Sequence, residues 1–378
     1  MEIHKIFFQL IQVSIGKRAK LDITPSPEEW EQLFDIANKQ SLAGVCFAGL
    51  KKLPAEQSPG EDLVMDWMGK SISTQRRNDK VTMVCGELND YFRSKGFNTC
   101  VLKGQSNHVY YPADMAGNRT SGDIDIWLFP KDGETSQVCK TMHFLEQENS
   151  IVSFAYLHAE LKPYKTVAIE AHFRPTFLNE PIHNHRLQKW YWENKADCIM
   201  EIEIADGITI PMLKPVYNII FQLVHIYRHL LDEGIGLRQL LDYYFLLRGT
   251  VQSLTEEQKK TIADKLSAFG LSRIAGAVMY VLRQVFMIEE KYMIVPVNER
   301  YGRQLLDEIM IAGNFGHYDP RLKDIGQASH DTSYQIRHAI RRFSRNTRFF
   351  MAYPSEVIFE PFARVIHFWW RKFKLWRY

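Results

Sequence analysis

Two aspartates stand two residues apart in Ser121-Gly122-Asp123-Ile124-Asp125-Ile126-Trp127, inside an apolar run that reads as a buried strand. Alternation along a strand sends Asp123 and Asp125 to one face and Ile124 and Ile126 to the other. Two neighbouring carboxylates repel, and each is costly to bury unpaired. A cation between them removes both problems. Hard divalent ions such as Mg²⁺ take oxygen ligands of this kind, commonly together with substrate phosphates. The chemistry suggested is metal-assisted phosphoryl or nucleotidyl transfer.

A third carboxylate follows in Val167-Ala168-Ile169-Glu170-Ala171-His172-Phe173-Arg174, where Glu170, His172 and Arg174 share one strand face. Glu170 either completes a metal site or acts as general base toward an acceptor hydroxyl. The plainer alternative is a cross-strand ion pair on a solvated face. Upstream, Lys103-Gly104 joins a strand to a helix. Glycine lets a phosphate approach the backbone, and the helix start presents free N–H groups to an anion. Ser106 adds a hydroxyl there and Lys103 a positive charge. Arg119, four residues before Asp123, reads either as a triphosphate ligand or as a surface arginine paired with an aspartate.

The elements that must position these groups follow from the pattern. Ser26-Pro27-Glu28-Glu29 starts a helix over 27–40, with a capping hydroxyl, a first-position proline and acids in the first turn. A long helix is predicted over 61–94, closed by Gly96. Strands are predicted at 97–102, 123–129, 151–161 and 166–173, with helical turns at 105–111, a loop at 113–121 and a helix at 135–147. This alternation gives a mixed sheet in an α/β or α+β core. After Pro211 the pattern is helical, with stripes led by Val216, Ile219, Ile220 and Leu223 and by Leu237, Leu240 and Leu241.

The bulk numbers exclude little. The chain has 378 residues, 46% hydrophobic and 24% charged, with a formal net charge of +3. That charge is too small to argue for nucleic-acid binding by itself. Five scattered cysteines without metal-ligand spacing fit reduced thiols. No stretch approaches the roughly 20 apolar residues of a bilayer span, and the expected location is cytoplasmic. From Ser333 onward ten Lys or Arg stand against two Glu. Within that segment, Phe368, Trp369, Trp370, Phe373, Leu375 and Trp376 lie among Arg364, Arg371, Lys372, Lys374 and Arg377. It reads as a helix packed on the core, as a peripheral contact with an anionic membrane, or as an RNA contact.

Several further signals read as structural. His183-Asn184-His185 reads as a loop. His225 and His229, one turn apart, read as the polar side of a helix facing a cleft. Arg238 and Asp242 read as a helical ion pair.

Taken together, Leu102-Lys103-Gly104, Arg119, Gly122-Asp123-Ile124-Asp125 and Glu170-Ala171-His172 resemble a bacterial uncharacterised nucleotidyltransferase family of the DNA polymerase β-like superfamily. Two details depart from many superfamily members: Gln105 follows Gly104, and the gap from Gly104 to Asp123 is long. The resemblance implies an α+β fold with a polymerase-β-like nucleotidyltransferase core and a small mixed sheet at 96–211. Helical regions at 1–95 and 212–378 would flank it. It implies Asp123, Asp125 and Glu170 as catalytic residues holding two Mg²⁺, and Lys103, Gly104, Ser106 and Arg119 as ligands of an NTP, taken as ATP. A nucleoside monophosphate would pass to an acceptor hydroxyl on RNA, protein, a sugar or a metabolite. A non-catalytic nucleotide sensor and a toxin-type tRNA nucleotidyltransferase are the alternative readings.

Overall fold

The computed structural model describes residues 2–131, 137–322 and 332–375. Trp376, Arg377 and Tyr378, and the first two residues of the helix expected over 135–147, lie outside them. Seven strands form one mixed sheet: β1 (Phe97–Val101), β2 (Ile124–Pro130), β3 (Ile151–Phe154), β4 (His158–Tyr164), β5 (Val167–His172), β6 (Ile199–Ala205) and β7 (Ile208–Leu213). Their spatial order is β3-β4-β5-β2-β1-β7-β6. β2 runs antiparallel to β1 and parallel to β5, with Asp125 directly opposite Glu170. The α+β class, the mixed sheet and the helical flanks are as expected.

Four local expectations change. Residues 151–161 are not one strand, because the chain turns between Phe154 and His158. The hairpin of β6 and β7 had no counterpart in the sequence reading, and β7 continues to Leu213 before the helix Pro215–Asp232 begins. His183 and His185 sit in the helix Pro181–Glu193, not in a loop, and Glu180 caps its first turn by accepting from His183 N. The 113–121 loop also contains a single helical turn, Ala113–Ala116.

The period-2 alternation of β2 explains how the sheet is covered. Ile124, Ile126 and Leu128 face one apolar cluster with Val81, Val84 and Leu88 of the long helix Glu61–Ser94 and Met142 and Leu145 of the helix Gln137–Gln147. Trp127 and Phe129 point the other way, into a second cluster shared with the helices Pro215–Asp232 and Leu237–Thr250. Asp125 has the same parity as Trp127, so the acidic face of the sheet looks toward those C-terminal helices.

The helix Pro27–Lys39 starts with a full capping box, Ser26 and Glu29 each bonding the other's backbone N–H. The helices before the sheet share the second core with those after it, running from Ile6 to Tyr353. Gln40 ties the two parts together, donating to Ile309 O at 2.9 Å and accepting from Leu237 N at 2.9 Å. No single helix among the described residues is long and apolar enough to cross a membrane.

Candidate active site

The site is assembled where β1 and β2 end in loops. Gly104 follows β1 with φ +72° and ψ −111°, a conformation that only glycine adopts without strain. The chain then enters the one-turn helix Gln105–His108. The loop before Asp123 is held from several sides by a polar stripe in mid-helix. Asn78 donates to Gly117 O at 2.6 Å and Arg119 O at 2.8 Å. Ser71 and Gln75 donate to Asn118 Oδ1, and Arg77 to the carbonyls of Ser121 and Gly122. Ser121 donates to Asn78 Oδ1 and accepts from Gln105. Gly44 is required on the far side: a Cβ there would lie 2.5 Å from Asn118 O.

Asp123, Asp125 and Glu170 converge, with one carboxylate oxygen from each within 4.8 Å of the others. Asp125 is 2% exposed, while the other two are partly open to solvent. Lys103 and His172 hold this charge together. Lys103 Nζ lies 2.9 Å from Asp125 Oδ2 and 3.3 Å from Asp123 Oδ1. His172 Nε2 lies 2.9 Å from Asp125 Oδ1 and 3.4 Å from Glu170 Oε2. On the other side, His158 Nδ1 is 3.1 Å from Glu170 Oε2.

The protonation states follow from these neighbours. Burial would raise Asp123, but the Lys103 ammonium outweighs it and holds the carboxyl well below its usual range. Asp125 goes the other way, raised first by burial and then by the charge of Asp123. Burial opposes charge on His172, yet its hydrogen bonds to Asp125 and Glu170 prevail and lift it to about 9. Burial and the charge of His172 push His158 down to about 3, so its ring is neutral. The carboxylates therefore carry net negative charge at pH 7 and draw in nearby cations.

Two ligand sets exist here, Asp123–Asp125–Glu170 and His158–Glu170–His172, sharing Glu170. The second offers two ring nitrogens, but the His172 ring is protonated and spent on the carboxylates. The first offers hard oxygens on a partly open face, which fits Mg²⁺.

The expectation that Arg119 meets phosphate is corrected. Its Nε and Nη2 donate to the two oxygens of Asp242, both at 2.6 Å, and Tyr111 donates to the same carboxylate at 2.7 Å. Arg119 is 5% exposed and Asp242 also 5%. The pair is thus a buried bidentate clamp, not a surface contact, and Asp242 is not the partner of Arg238. Arg238 instead donates to Thr120 O at 3.0 Å, with Nη1 beside Gly122. Its Nε has no hydrogen-bond partner among the described residues, and it and Asp123 feel each other's charge.

Ser106 lies at the helix start as expected, fully buried, its Oγ also without a partner among the described residues. His225 lies near the charges of the site, where burial, His229 and Lys103 all disfavour its charged form, while His229, with its ring 4.3 Å away, pairs with Glu233. Arg228, on the same helix, lies 3.9 Å over the Phe177 ring and senses Glu170. Arg174 turns away and covers Tyr156.

A strand-borne acid triad thus stands beside a lysine at a glycine turn. Residues 26–287 match the family described as "Uncharacterised nucleotidyltransferase". The chain belongs to that family and is a nucleotidyltransferase. Among solved structures it is similar to an antigenic nucleotidyltransferase-like protein from Paracoccidioides brasiliensis, at 12% identity and a TM-score of 0.32, over 51% of this chain and 93% of that one. No curated protein matches the chain.

Proposed function

We propose that the protein transfers a nucleoside monophosphate from an NTP, taken as ATP, to an acceptor hydroxyl with release of pyrophosphate, in a Mg²⁺-dependent reaction. The observation that carries this reading is the convergence of Asp123, Asp125 and Glu170 on one partly open sheet face. These three side chains would hold Mg²⁺, which when bound neutralises phosphate charge and acidifies a hydroxyl nucleophile.

The remaining work belongs to the chain's own groups. Gly104 leaves room for phosphate against the backbone, and the Ser106 hydroxyl is available as a donor. Lys103 already touches two of the acids, and its ammonium faces any anion brought to them. Arg238, whose Nη1 stands beside Gly122 and whose charge reaches Asp123, takes the role first given to Arg119. His172 orients Asp125 and Glu170 toward each other. Glu170, the more exposed of that pair, is placed to take the proton of the acceptor. Such a site acts by placement and fixed charge.

Calorimetric titration with ATP in the presence and absence of Mg²⁺ tests this assignment. Mg²⁺-dependent binding that disappears in Asp123→Asn/Asp125→Asn is the expected result. Equal binding by wild type and the double variant overturns it.

A further inference from the structure

The helix Pro354–Lys372 buries one side against the rest of the molecule and leaves a broad apolar stripe exposed beside it. Inward, Ala363 and Trp370 are buried, and Trp370 meets Tyr156 edge-on at 5.4 Å. His367 stacks on the same tyrosine at 4.0 Å. Both carboxylates between residues 339 and 375 also point inward. Glu356 accepts the backbone N–H groups of Asn179 and Glu180 at 2.7 and 3.2 Å, and Glu360 pairs with Arg342 and Arg364.

Outward, Ile358, Phe362, Val365, Ile366, Trp369 and Phe373 form a stripe within about 100° of the helical wheel at 100° per residue. Phe362, Ile366 and Phe373 are 62%, 60% and 58% exposed. The preceding helix, Thr332–Phe349, adds Phe343 at 72%. Nearly half of all exposed large apolar side chains among the described residues fall between Ile340 and Leu375. Lys372 borders the stripe with its ammonium 5.1 Å from the Trp369 ring, Arg371 is exposed on the same last turn, and Lys374 pairs with Glu146 at 3.8 Å.

We infer that this face binds the surface of an anionic lipid bilayer, with the apolar stripe entering the headgroup boundary and the basic side chains meeting lipid phosphate. The charge pattern selects this occupant. Both acids of the helix are turned inward, and the exposed Arg371 and Lys372 at its end complement an anionic surface. Single-stranded RNA binds through stacking on aromatic rings, whereas Ile358, Val365 and Ile366 offer nothing to stack on.

Cosedimentation of the full chain with phosphatidylcholine vesicles, with and without phosphatidylglycerol, tests the inference. Binding at least tenfold tighter to the anionic vesicles is expected. Phe362→Ser/Ile366→Ser/Phe373→Ser should abolish it without lowering the melting temperature, since all three side chains are more than half exposed. Arg371→Glu/Lys372→Glu should weaken it by about fivefold per basic residue. Asp123→Asn should leave it unchanged, which separates this surface from the acidic site. Absence of vesicle binding overturns the inference, as does equal binding by the triple variant. Self-association or RNA binding that the triple variant loses, with no vesicle binding, overturns it in favour of those partners.

Discussion

At the residue scale, charge partners decide which basic groups are free. The fork of Arg119 is spent on Asp242 in a buried pair, whereas Arg238 stands beside Gly122 and its charge reaches Asp123. Arg119→Met should therefore cost about 3–5 kcal/mol of stability, because it leaves Asp242 buried and unpaired. Arg238→Met should instead weaken ATP binding about tenfold or more, the loss of one charged hydrogen bond of roughly 1.5–3 kcal/mol. Urea unfolding and calorimetry on both variants check this, and the reverse pattern would restore Arg119 to the phosphate. His172 gives a pH signature. Its folded-state value of about 9 stands above the ordinary 6.5. Its contribution is then complete below pH 6.5 and lost as pH rises through 9, at most about 3 kcal/mol. Without added metal, wild type should lose that stability over this window and His172→Gln should not, as read from urea midpoints. The sequence made the acids legible because strand alternation is a local rule. Lys103 meeting both aspartates was not legible, since side-chain reach is not written in spacing.

At the element scale, the loop at residues 117–122 is as important as the strand it feeds. The long helix Glu61–Ser94 carries a buried polar stripe, and Asn78 alone bonds two loop carbonyls. Asn78→Ala should cost about 1–3 kcal/mol by leaving those carbonyls unsatisfied. It should also lower turnover more than the affinity for ATP, because it loosens the segment that places Asp123; thermal unfolding and steady-state kinetics check both. The helix itself was legible from Glu61 to Ser94, and Gly96 with φ +87° follows it. The role of its polar stripe was hidden, because the spacing of Ser71 and Asn78 does not show which segment folds onto them. The hairpin of β6 and β7 escaped for a related reason. β6 is an edge strand whose residues are half-buried or exposed, so it lacks a clean buried face. Arg119 and Asp242 are 123 residues apart, and only the packing of the helix Leu237–Thr250 against the site loop joins them.

At the scale of the whole molecule, the sheet is clamped between the long helix on one face and the C-terminal helices on the other, with its acids on the second face. The helices before and after the sheet share one core, which fixes the depth at which the acids sit. The family match covers residues 26–287, and the basic, apolar helix Pro354–Lys372 follows that span. The central claim is that three acids direct nucleotidyl transfer. It is tested most directly by incubating the protein, Mg²⁺ and a mixture of candidate acceptors with ATP labelled at either the α- or the γ-phosphate. Label from the α-phosphate should become acceptor-bound and label from the γ-phosphate should leave as pyrophosphate, with both signals lost in Asp123→Asn. Transfer of the γ-label, or α-label transfer undiminished in Asp123→Asn, would contradict the account.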